Sequence, residues 1–187
     1  MKNFIIEAKG EVSAAFLKEG ITDFKMACGF VSILPYRRNI NKSEVTCILK
    51  DKFGTCSTKH AALRKLAIEN NQYEIKLVLG IFKMDAVYAP SIKNTLQRYQ
   101  IDYIPEAHNY LKIDGSYYDF TYPNSSYSDF EDKLLSEQII EFNQITEHKI
   151  NLHQAFFSEW LKTANIPLSL IQIWAIREEC IKDLQKK

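Results

Sequence analysis

The sequence predicts an α+β fold, on three observations. Apolar residues recur at helical spacing from residue 11 to about residue 70. They alternate at period two over 73–82 and 107–123, and they return to helical spacing from 148 onward. Blocks of helix, strand and helix in that order fit α+β rather than a repeating βαβ plan. The 187 residues fit one domain, and a hydrophobic content of 46% is enough for a core.

The elements follow in chain order. EVSAAFLKEG (11–20) reads as a helix stopped by Gly20. TDFKMACGFVSIL (22–34) places Phe24, Ala27, Val31 and Leu34 on one stripe, with Thr22 as the expected N-cap and Pro35 blocking continuation. SEVTCILKDKF (43–53) reads as a third short helix capped by Ser43. The next helix begins at GTCSTKH (54–60), with Thr55 as cap and Asn70–Asn71 as stop. Cys56, His60, Leu63 and Ala67 share its inward face.

YEIKLVLGIF (73–82) alternates as a strand, and a short helix is expected after Pro90. In AHNYLKIDGSYYDFTYP (107–123), Asp114-Gly115 stands between two alternating runs, the sequence signature of a hairpin. After the polar loop 124–129, two or three helices finish the chain. Their expected stripes are Ile150, His153, Phe157, Trp160 and Leu161, then Leu170, Trp174, Ile181 and Leu184, and the charges of IREECIKDLQKK are expected to form a wet face.

Composition narrows the function classes. With 24 Lys+Arg against 23 Asp+Glu, the chain has no bulk electrostatic pull on nucleic acid or anionic lipid, so neither is an expected partner. No apolar run of membrane-spanning length occurs. Glu7 and Lys9 come too early for a signal-peptide apolar region, and the four cysteines (28, 47, 56 and 180) form no CxxC pair. Free thiols in a cytoplasmic setting are therefore expected, without a disulfide framework or zinc ribbon. Cys28, Cys47 and Cys180 lie on apolar stretches and read as core. Arg37, Arg38 and Lys42 read as a solvated basic loop. The tyrosines at 110, 117, 118, 122 and 127 read as sheet and rim residues.

The hairpin allows a geometric argument. If Asp114-Gly115 is the centre of a two-residue turn, Ile113 faces Ser116, Tyr110 faces Asp119 and His108 faces Thr121. His108 and Asp119 are then diagonal neighbours on one face, about 7–8 Å apart at Cα, within reach of a carboxylate–imidazole hydrogen bond. One residue more or less in the turn would send Asp119 to the opposite face. An Asp that orients a His lacks only a nucleophile. A cysteine at a helix N-terminus meets the need, because the helix dipole and a nearby imidazolium both lower its pKa. A zinc site using Cys56, His60 and His108 is the competing use of these residues.

The order Cys56, His108, Asp119, carried by GTCSTKH (54–60), PEAHNYLKIDG (105–115) and YYDFT (117–121), resembles the transglutaminase-like branch of the papain-like superfamily. The resemblance covers about residues 22–123 and leaves about 129–187 as a C-terminal helical extension of a single domain. It implies a helix opened by the cysteine and packed on an antiparallel sheet. Cys56 would be the nucleophile, His108 the general base and acid, and Asp119 the orienting carboxylate. It also implies acyl chemistry through a thioester on a peptide, protein or small acyl or amide substrate, with no metal or organic cofactor. Hydrolysis, deamidation and acyl transfer stay open, as does a non-catalytic binding module that retains the pocket. Lys50 stands six residues before Cys56, and no Gln precedes Gln72. The Cys56 N–H is thus the one assigned oxyanion donor.

Overall fold

A computed structural model describes residues 1–184. Four helices come first: α1 (Glu11–Lys18), α2 (Phe24–Ile33), α3 (Cys47–Asp51) and α4 (Cys56–Glu69). Strand β1 (Lys76–Asp85) is followed by α5 (Lys93–Arg98), β2 (Tyr103–Ile113), β3 (Ser116–Tyr118) and β4 (Leu134–Ile140). Helices α6 (Glu147–Thr163) and α7 (Leu170–Leu184) complete the described chain. The sheet is antiparallel throughout, in the order β3-β2-β1-β4.

Strand alternation divides the interior in two. Leu77, Leu79 and Ile81 of β1, with Ala107, Leu111 and Ile113 of β2, point into a core shared with α1–α4. Val78, Phe82, Met84, Ile104 and Tyr110 point the other way, onto α5, α6, α7 and Phe130. A sheet buried on both faces cannot show a clean apolar/polar alternation. Its period-two signal therefore starts and stops loosely. The strand expected from Tyr73 begins at Lys76, and Tyr73 is exposed.

Several local expectations are corrected. Asp23, not Thr22, caps α2, because its carboxylate accepts the Met26 N–H at 2.9 Å. The helix expected from Ser43 starts only at Cys47, and the Ser43 N–H instead donates to Asn41. The supposed helical extension supplies β4, which pairs with β1. On α6 the inward stripe runs through His153, Phe157, Trp160 and Leu161, and Ile150 is exposed. On α7 the buried positions are Ile173, Ile176, Cys180 and Ile181. The last three residues of the expected wet face, Gln185, Lys186 and Lys187, lie outside the described residues. The four cysteines are buried and free.

No helix among the described residues is long and apolar enough to cross a membrane.

Candidate active site

The Cys56 end of α4 is fixed by local chemistry. Thr55 caps the helix and forms a capping box with Thr58, each side chain accepting the other's backbone N–H. Before it, Gly54 lies where a Cβ would come within 2.7 Å of Ile48 Cγ2 and 2.9 Å of Thr58 Oγ1. Only glycine lets this segment lie against α3 and the first turn of α4. Gly54 also exchanges backbone hydrogen bonds with the 35–37 segment, donating to the Pro35 carbonyl and accepting from the Arg37 N–H.

The hairpin has the expected register. Ile113 pairs with Ser116 and Leu111 with Tyr118, around a turn in which Asp114 and Gly115 have φ of 50° and 80°. Two consecutive positive φ values belong to a type I′ turn, which matches strand twist. The strand β3 is shorter than expected and ends at Tyr118. Continued in the same register, the ladder would next hydrogen-bond Asn109 to Phe120. The N-terminus of α4 occupies that gap instead. The Phe120 N–H donates to His60 Nε2 at 2.8 Å, and the Asn109 N–H is turned to the Cys56 sulfur. Helix α4 is a wedge that splits the hairpin where its nucleophile candidate stands.

Cys56, His108 and Asp119 come together at this split. His108 Nε2 lies 2.8 Å from Asp119 Oδ2, although Asp119 is one residue past the end of β3. The other carboxylate oxygen accepts the Thr121 N–H at 2.8 Å and the Thr121 hydroxyl at 2.5 Å. The His108 ring is walled by Phe82, Tyr110 and Phe130. With Nε2 on Asp119, Nδ1 is left for the Cys56 thiol, with which the ring also interacts.

The electrostatics separate Cys56 from the other three cysteines. Burial pushes every thiol up, to about 11 at Cys47 and about 12 at Cys180. At Cys56 burial also pushes up, but the Lys149 ammonium, His108 and the Asn109 N–H override it and hold the thiol at about 6. For His108, burial favours the neutral ring, while Asp119 and Cys56 raise it to about 10. Asp119 loses stability as a carboxylate through burial, and His108 and Thr121 more than restore it, leaving its pKa well below the usual carboxylate range. The two directions, Cys56 lowered and His108 raised, both favour a thiolate beside an imidazolium that is braced by a carboxylate.

His60 is not a ligand or a second base. Its Nδ1 donates to the Cys56 carbonyl at 2.7 Å, and its Nε2 accepts from Phe120. That fixes the neutral tautomer, so the 3.5 Å approach of Nε2 to Asp119 is not an ion pair. Burial agrees, holding His60 at about 4. Both nitrogens are engaged, and no metal-binding arrangement of three His, Cys, Asp or Glu occurs among the described residues.

Two lysines escape the sequence argument. Lys59 is wholly buried and donates to the Leu34 carbonyl at 2.6 Å and the Thr121 carbonyl at 2.7 Å. It ties the chain after Asp119 to the end of α2. Burial lowers its pKa to about 8, against the pull of Cys56 and Asp119. Lys149 donates to Ser57 Oγ at 2.9 Å and Asn109 Oδ1 at 2.8 Å. It takes the inward position on α6 expected for Ile150. The signal in the sequence is faint: Lys149 stands one turn before His153 and two before Phe157.

The cleft beside Cys56 encloses about 280 Å³ between α4, β2, α6 and α7. Arg177 of α7 is not on a wet face. It forks onto Glu106 of β2, with Nε to Oε2 at 2.7 Å, and joins α7 to the sheet. Tyr36 and Tyr122 stack nearby at 5.6 Å.

No family model, curated protein or solved structure matches this chain.

Proposed function

We propose that this chain performs thiol-dependent acyl chemistry on an amide or acyl substrate, with a transglutaminase-like architecture built around Cys56, His108 and Asp119. One observation carries the reading. Of four buried thiols, the one that opens α4 is lowered rather than raised, beside an imidazole whose Nε2 is bonded to a carboxylate.

The steps follow from the charges. The Cys56 thiolate attacks the carbonyl carbon and forms a C–S bond while the carbonyl electrons move to oxygen. The Cys56 N–H, free at the first turn of α4, and the third N–H of the Lys149 ammonium, whose other two are on Ser57 and Asn109, are the donors proposed for the developing oxyanion. Lys149 thus supplies the donor that the missing upstream Gln would have provided. On collapse the bond to the leaving group breaks, and that group takes the proton held by His108. A thioester remains. Water or an amine, deprotonated by His108, then attacks the thioester and returns the thiolate. Asp119 keeps the imidazole turned toward sulfur throughout.

The test is acylation by an activated p-nitrophenyl ester, followed by nitrophenolate release and intact mass. The expected result is a burst of about one equivalent and one acyl group on Cys56. Cys56→Ser and His108→Ala should abolish both signals. An adduct distributed over other cysteines, or a burst that survives Cys56→Ser, would contradict the proposal.

A further inference from the structure

Six charged side chains line the Cys56 cleft: Arg38, Lys42, Glu106, Lys149, Arg177 and Glu178. Pairing accounts for five of them. Arg177 forks onto Glu106 and also reaches Glu178. Arg38 forks onto Glu178 at 2.8 and 3.0 Å. Both carboxylates are thereby satisfied by guanidinium groups in bidentate geometry. Lys149 faces the Cys56 thiolate across Ser57, and the imidazolium of His108 is balanced by Asp119. His153, also on the wall, gives its Nε2 to the Pro105 carbonyl, and burial favours its neutral form.

Lys42 is left over. It is half-buried in the cleft wall and makes no hydrogen bond or ion pair among the described residues. Burial opposes its charge, as do Arg38 and Arg177, and the weaker pull of Cys56 and Glu178 does not make up the difference. A lysine in that position is stabilised by an anion entering the cleft. The basic loop that the sequence alone places in solvent therefore contributes one of its cations to the wall of the cleft that holds Cys56. Tyr36 shares the wall. Its hydroxyl has no hydrogen-bond partner among the described residues, and burial, with the charges of Cys56 and Glu106, keeps it protonated. A neutral phenol can donate a hydrogen bond.

We propose that the cleft is built for an acyl donor bearing a single carboxylate, held by Lys42 with Tyr36 as a hydrogen-bond donor, while its carbonyl meets Cys56. One unpaired cation calls for one negative charge, and the space is that of a short acyl chain. The proposal rests on Cys56 being the reacting thiol.

Two alkylating reagents separate the two claims. Iodoacetate and iodoacetamide both lose iodide to a thiolate and differ chiefly in carrying a carboxylate or a neutral amide. Rate constants at Cys56 are read by peptide mass spectrometry on the full chain at pH 8. The iodoacetate-to-iodoacetamide ratio should exceed that of a short cysteine peptide by about fivefold or more. Lys42→Gln should lower the ratio at least about threefold, and Lys42→Arg should keep it. A peptide-like ratio, or one unmoved by Lys42→Gln, overturns the carboxylate site while leaving a reactive Cys56 standing. Slow alkylation by both reagents overturns the reactivity of Cys56, and the carboxylate site with it.

Discussion

Replacing Lys149 with methionine tests how the thiolate is stabilised. Met keeps the length and apolar bulk of the side chain and removes its charge. Lys149 Nζ is 2.9 Å from Ser57 Oγ, which is 3.9 Å from Cys56 Sγ, so ammonium and sulfur are at most about 7 Å apart. At an effective dielectric constant of about 20, that separation is worth about 2 kcal/mol, or one to two pH units on the thiol. The Cys56 pKa should rise from about 6 to between 7 and 8, roughly, in Lys149→Met. The ultraviolet absorbance of the thiolate, titrated against pH with Cys56→Ser as the blank, reads the shift directly. An unchanged midpoint in a folded variant would refute the assignment of Lys149 as the cation that holds the thiolate.

The remaining predictions concern Asp119 and the tether of α7. Asp119→Asn removes the charge that most raises His108, so its pKa should fall from about 10 toward 6.5. The rate of acylation at neutral pH should fall by about 100-fold or more, measured by nitrophenolate release. Glu106 is pushed up by burial but held by Arg177 at about 2, below the ordinary 4.5. A carboxyl depressed in the folded state stabilises the protein above about pH 4.5, and that contribution fades as pH falls toward 2. Its size is about 3 kcal/mol, and Asp119 adds in the same direction. The urea midpoint should therefore drop between pH 6 and pH 3. Glu106→Gln should flatten part of that drop and cost about 3 kcal/mol at pH 7, because Arg177 then loses its bidentate carboxylate and keeps only the contact with Glu178. An unchanged pH 7 midpoint would count against the tether.

What could be read from the sequence was local chemistry with a strict geometric consequence. Asp114-Gly115 dictates a turn with two positive φ values, the turn dictates register, and register brings Asp119 to His108. Thr55 before Cys56 likewise marks a helix start. The illegible parts depend on partners far along the chain. Strand β4 exposes Ser136, Glu137, Gln138 and Ile139 in succession at the sheet edge, so it has no alternation to detect. Arg177 looks like a solvent-facing charge until Glu106, on another element, is placed opposite it. Lys149 and Ile150 both lie near the apolar stripe of α6, and only the position of Ser57 and Asn109 decides which turns inward. The early end of β3 was equally hidden, because it is caused by α4 entering the hairpin rather than by any residue of β3.

The most direct test of the central claim is the pH dependence of Cys56 alkylation by iodoacetamide in the unmodified protein. A thiolate–imidazolium pair predicts a rate that is half-maximal near pH 6 and stays high to about pH 10, with His108→Ala moving the midpoint upward. A midpoint at the free-thiol value of about 8.5 or above, unmoved by His108→Ala, would contradict it.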